Sequence, residues 1–109
     1  MENIKKIKLS KNDFIVDFGT SSLKLDYSLE NDKYVIDISD KNLIEATKVA
    51  ILTSTYCFIN DFKKKLCWLV ADDEIGRAIS ILRLKNVEQR IKQPMQNKEL
   101  EFASWSLLM

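Results

Sequence analysis

Apolar and polar residues roughly alternate from Ile4 to Leu9 and again from Phe14 to Phe18, with Lys11-Asn12-Asp13 between the two runs. That pattern predicts two strands, 4–9 and 13–18, joined as a β-hairpin. Leu23, Leu25 and Tyr27 then fall on one side of a third alternating run, with Lys24, Asp26 and Ser28 on the other. The turn-forming Glu30-Asn31-Asp32-Lys33 separates it from the β-branched stretch Tyr34-Val35-Ile36-Asp37-Ile38, so strands are expected over 22–28 and 34–38. The period changes after Ser39. Leu43, Ala46, Val49, Ala50 and Leu52, followed by Tyr56, Ile59 and Phe62, recur at three- and four-residue steps and predict a long, mostly buried helix over 43–62. Asn42 with Glu45 three residues on has the form of a capping box. The run Lys63-Lys64-Lys65 stands where it would complement the negative end of that helix.

Leu66-Cys67-Trp68-Leu69-Val70 is continuously apolar, the signature of a strand covered on both faces, with Trp68 at its centre in the core. Asp72 and Asp73 offer an N-cap, and Ile75, Ala78, Ile79 and Leu82 form an apolar stripe. Arg83 and Lys85 carry the sign that suits a helix end, so a second helix is expected over 73–84. The order strand, helix, strand, helix from Tyr34 onward implies a βαβ crossover with 34–38 and 66–70 parallel and adjacent. The expected class is α/β, a mixed sheet of N-terminal antiparallel strands followed by a βαβα unit.

A chain of 109 residues, 46% hydrophobic and 30% charged, is enough for one core. Residues 1–93 read as one domain and 94–109 as a tail beyond Pro94. The chain has no His, which excludes imidazole catalysis and His-ligated metal. Cys57 and Cys67 form no C-x-x-C pair and read as buried thiols. Asp72-Asp73-Glu74 is accounted for by capping and the helix dipole instead of a cation, and Thr53-Ser54-Thr55 has no identifiable base, so neither a metal, a cofactor nor an enzymatic activity is expected. The first ten residues lack a signal-peptide core, and Val49–Phe62 is interrupted by polar residues and too short to span a bilayer; a cytoplasmic location is the expectation.

Val35-Ile36-Asp37-Ile38-Ser39, the helix opening at Ile44-Glu45-Ala46-Thr47-Lys48, the strand Leu66–Val70 and the stretch Ile79–Val87, taken as helix end and turn, together resemble the STAS domain, the fold of bacterial anti-sigma factor antagonists. Glu45 and Ala46 stand where the family has Asp and Ser, Lys48 where it has Gly, and Thr47 where it carries a phosphorylatable Ser. The stretch between Phe18 and Tyr34 is too short for the family's first helix. The resemblance implies a regulatory or accessory subunit that binds a protein partner, an anti-sigma factor-like kinase or an ATPase subunit. It implies Ile44, Glu45, Thr47 and Lys48 as the contact site and Thr47 as a phosphosite. An added phosphate there would gain from the helix N-terminus.

Two features widen the choice. Lys63 to Lys92 carries eight basic and four acidic residues, the sign of a nucleic-acid surface, which makes a small nucleic-acid-binding protein the rival to a protein-binding module. The tail residues Phe102, Trp105, Leu107, Leu108 and Met109 are too apolar for a free terminus, so they pack either on their own domain or on another chain. A homodimer that exchanges tails is the favoured form, since Pro94 and Gln96-Asn97-Lys98 make an exit point before the apolar run.

Overall fold

The computed structural model describes residues 3–92. Eight elements follow in order: β1 (Lys6–Leu9), β2 (Asp13–Asp17), β3 (Ser22–Glu30), β4 (Lys33–Asp37), α1 (Leu43–Ile59), β5 (Lys65–Val70), α2 (Asp73–Ile81) and β6 (Val87–Ile91). They build one six-stranded mixed sheet in the order β1-β2-β3-β4-β5-β6. The first four strands are antiparallel, and β4, β5 and β6 are parallel. The expected pairing of β4 with β5 is present, with Ile36 opposite Trp68.

The turn chemistry explains the register. Asn31 and Asp32 both take left-handed backbone (φ 47° and 64°), so a two-residue loop with the twist of the strands joins β3 to β4. The pleat then puts Phe14, Val16, Leu25, Ile36, Ile38, Leu66, Trp68 and Val70 on one face of the sheet, where they are buried with Ala46, Ala50 and Cys57 of α1 and Ile75 and Ile79 of α2. Both helices therefore cover the same face. Trp68 is fully buried between sheet and helix, as its position in the strand predicts, and its Nε1–H donates to Ser54 Oγ of α1 at 3.1 Å. A T-shaped trio of Phe14, Tyr27 and Tyr34 extends the core across β2, β3 and β4.

Several expectations are corrected. Helix α1 stops at Ile59, because Asp61 turns left-handed (φ 58°) and the chain folds back. The N–H groups of Asp61 and Phe62 donate to the carbonyls of Phe58 and Cys57, and the Phe62 ring meets Tyr56 edge-on. This is a Schellman closure with its apolar contact. Helix α2 likewise stops at Ile81, before a left-handed Arg83 (φ 49°). Neither helix has a basic residue in its last turn: Lys63-Lys64-Lys65, Arg83 and Lys85 lie beyond the helix ends, Lys64 pairs with Asp32 at 3.5 Å and Lys65 opens β5. Val87 begins a sixth strand where a helix end and turn were expected. Asn86, left-handed at φ 59°, starts it by accepting the Leu66 N–H on its carbonyl.

Strand β5 is covered on both faces, but not by helices on both. On the face away from α1 and α2, ion pairs reach over β5: Lys33 to Glu88, Lys92 to Asp37 at 2.6 Å, and Arg90 as far as Glu30 on β3 at 3.2 Å. Beneath them Val35 and Cys67 are buried. The Arg90 and Lys33 hydrogen bonds hold the carboxyls of Glu30 and Glu88 below the usual range. At Asp37 burial works against ionisation, but hydrogen bonds from Lys92 and Ser39 outweigh it and lower that carboxyl too. Carboxyls depressed by folding contribute stability above their unfolded pKa values, and lose it as pH falls through the folded ones. The melting temperature should therefore drop progressively below about pH 4.3, and Lys92→Met should flatten the drop. A melting temperature independent of pH between 5 and 2.5, or an identical profile in the variant, would contradict a stabilising role for these pairs.

Candidate functional site

The site implied by the resemblance lies at the start of α1. Asn42 caps this helix, its Oδ1 accepting the Glu45 N–H at 2.9 Å. Ile44, Glu45 and Lys48 are exposed and Thr47 is half-buried. They share the first turns of α1, but not one face. The Thr47 hydroxyl donates to the carbonyls of Leu43 (2.8 Å) and Ile44 (3.0 Å), within its own helix. Thr47 also sits one turn inside the helix, beyond the first N–H groups, which Asn42 satisfies through Glu45 and Ala46.

Two surfaces radiate from this point. The first is a stripe along the outside of α1. Ile44 is 77% exposed, Ile51 37% and Phe58 63%, and their seven-residue spacing stacks them on one side of the helix. The inner side is formed by Ala46, Ala50, Thr53, Ser54 and Cys57. Leu43 and Ile59, expected in the buried stripe, are exposed. The helix is apolar nearly all round, so periodicity alone does not tell inside from outside. What distinguishes them is size: small residues face the sheet, letting the helix approach it, and the large residues left over face out.

The second surface is a groove of about 240 Å³ between α1 and the β2–β3 turn. Phe18, Leu23, Val49 and Leu52 form its walls, and Lys41, Glu45 and Lys48 stand around it. The turn is shaped by Gly19 (φ 89°), whose N–H donates to Asp17 Oδ1 at 2.8 Å. Small-molecule sites usually enclose about 300–1,000 Å³; this volume suits one or two side chains better than a cofactor. Nothing in the local sequence pattern signals the groove, since its halves are some twenty residues apart and joined only by the sheet.

Elsewhere the chemistry is quiet. Burial pushes the Cys57 thiol up to about 12, and burial likewise raises that of Cys67, which lies on the opposite face of the sheet. Asp72 caps α2 by accepting the Ile75 N–H at 3.0 Å, and Asp73 pairs with Arg77. Thr53 and Ser54 are buried in the α1–sheet contact. Among the described residues there is no group of three or more His, Cys, Asp or Glu placed to hold a metal, and no helix is long and apolar enough to cross a membrane. Of the basic residues in the 63–92 half, Lys64, Arg77, Arg90 and Lys92 are engaged in ion pairs. The tail residues Phe102, Trp105, Leu107, Leu108 and Met109 lie outside the described residues. No family model matches this chain, and neither a curated protein nor a solved structure matches it.

Proposed function

We propose that this chain is a non-catalytic protein-interaction module, a STAS-like regulatory or accessory subunit whose partner seats on the outer side of α1, from Ile44, Glu45, Thr47 and Lys48 toward Phe58. One observation carries the reading: α1 presents Ile44, Ile51 and Phe58 outward on a helix whose inner side is already packed. Exposed large apolar residues in register along a helix are how a surface is built to bury against another protein. The parallel strands with α1 entering directly after Asp37-Ile38-Ser39 are compatible with the STAS-like form. A nucleic-acid surface is less well supported, because so many cations of the 63–92 half face carboxylates of the same chain.

The test compares the wild-type chain with Ile44→Asp/Phe58→Asp as baits in lysate of the native cell, with melting curves of both. The double variant should melt like the wild type, since both positions are exposed, and should lose the captured protein. Thr47→Glu should weaken that capture, because an uncompensated charge in a desolvated contact is costly. The same protein captured equally by all three baits would remove α1 as the site. Capture of nucleic acid that falls steeply with salt would favour the rival function.

A further inference from the structure

The sheet ends on two edge strands, β1 and β6, each with one neighbouring strand among the described residues. An edge strand offers unpaired N–H and C=O groups to any chain able to pair with it, and lysines are a common guard against that. Strand β1, Lys6-Ile7-Lys8-Leu9, is guarded in this way, since an antiparallel self-pairing centred on Lys6, Ile7 or Lys8 sets lysine against lysine. Strand β6, Val87-Glu88-Gln89-Arg90-Ile91, contains neither Lys nor Pro.

The bonds at its two ends fix which main-chain groups of β6 face outward. The Asn86 carbonyl accepts the Leu66 N–H, and the Lys92 N–H donates to the Val70 carbonyl, so the even-numbered residues turn their main-chain groups to β5. Val87, Gln89 and Ile91 therefore turn theirs to the open side. A second β6 laid antiparallel along that side can be centred on Glu88, Gln89 or Arg90. Centring on Glu88 or Arg90 sets that charge against itself, which is destabilising. Centring on Gln89 puts Glu88 opposite the partner's Arg90, twice by symmetry, at the non-hydrogen-bonded positions where cross-strand side chains come closest. Only this register is self-complementary. Glu88 and Arg90 are already tied to Lys33 and Glu30, and the pairing extends those ties into a row of alternating sign: Glu30, Arg90, the partner's Glu88 and the partner's Lys33.

We propose that β6 pairs antiparallel with β6 of a second copy about a two-fold axis at Gln89, joining two six-stranded sheets into one. Val87 pairs with the partner's Ile91 and Gln89 with the partner's Gln89, each pair exchanging two N–H···O bonds. Ile91, 40% exposed at the edge, is covered by this contact. An open cleft of about 460 Å³ between α2 and β6, with Gly76, Ser80 and Ile91 in its lining, leaves room on the helix side for the side chains of the added strand. The contact is isologous, so it closes at two copies. It uses none of the α1 residues assigned to a protein partner, and stands whether or not one binds there.

Residue-resolved hydrogen exchange on the wild-type chain over a dilution series, with masses from sedimentation, tests it. The concentrated protein should be a dimer with the amides of Val87, Gln89 and Ile91 protected. On dilution to monomer these should exchange about tenfold faster, while those of Glu88 and Arg90, which face β5, stay unchanged. A chain still monomeric at about 1 mM overturns the proposal, as does protection at 87, 89 and 91 that ignores dilution. Glu88→Arg and Arg90→Glu should each weaken dimerisation about tenfold, and mixing the two variants should restore it, because they are opposite in charge at every facing position. Unchanged dimerisation in both variants, or no recovery on mixing, refutes the register. If a reversed charge disturbs the fold, Gln89→Pro decides. It removes an N–H that points away from β5, so the variant should melt near wild type as a monomer, and a Gln89→Pro dimer refutes the pairing.

Discussion

Trp68→Ala should lower stability by roughly 3–5 kcal/mol, the usual cost of emptying a large aromatic site in a core. For a domain of this size that corresponds to a melting temperature lower by roughly 15–25 °C. Trp68 is fully buried at the centre of β5, opposite Ile36 on one side and Gln89 on the other, with α1 above it. The buried residues of α1 above the sheet are small, Ala46, Ala50, Thr53, Ser54 and Cys57, so the helix offers no large side chain to fill the space. A second loss is added, because the indole N–H is the donor to Ser54 Oγ, itself buried. Trp68→Phe separates the two contributions. It keeps most of the volume and removes the donor, and should cost about 1–3 kcal/mol. Chemical denaturation of the three proteins checks both values, and a Trp68→Ala chain that melts near wild type would mean that the strand and α1 are not packed as described.

Phe14→Ala should cost a similar amount, about 3–5 kcal/mol, although Phe14 belongs to the N-terminal hairpin, far in sequence from the βαβαβ half. Phe14 is fully buried, meets Tyr27 and Tyr34 edge-on, and belongs to the same apolar cluster as Trp68, Ile75 and Ile79. The hairpin is thus part of one cooperative core. Thermal unfolding of the variant should remain a single transition, moved to lower temperature. Two transitions, with the early one confined to the hairpin, would show that the antiparallel and parallel halves fold separately. Leu9→Ala is the control: Leu9 is 41% exposed on the edge strand and should cost well under half as much.

Much of this architecture was legible in the residues. Rough alternation marked β1, β2 and β3, and the helical period with Asn42 and Asp72 as caps located the starts of both helices. Starts were readable because a cap is a local hydrogen bond between a side chain and an N–H three residues away. Ends were not, because Asp61 and Arg83 terminate their helices in left-handed backbone that a residue other than Gly does not announce. Strand β6 was missed although Val87, Gln89 and Ile91 alternate with Glu88, Arg90 and Lys92: a short strand with three charged or polar neighbours looks like loop until a partner strand supplies its hydrogen bonds.

By itself, then, the order of residues determined seven of the eight elements, the antiparallel start, the parallel crossover between β4 and β5 and the burial of Trp68, since each follows from local period, capping or continuous apolarity. Only the tertiary structure decided which side of α1 faces out, because all sides of that helix are apolar and only the fit of Ala46 and Ala50 against the sheet selects the inner one. It alone turned Glu30, Lys33, Asp37, Glu88, Arg90 and Lys92 from scattered surface charges into a cover for Cys67, because those partners lie 55 or 60 residues apart. It alone formed the groove, whose walls come from Phe18 and Leu23 on one side and Val49 and Leu52 on the other, brought together by the packing of α1 on the sheet.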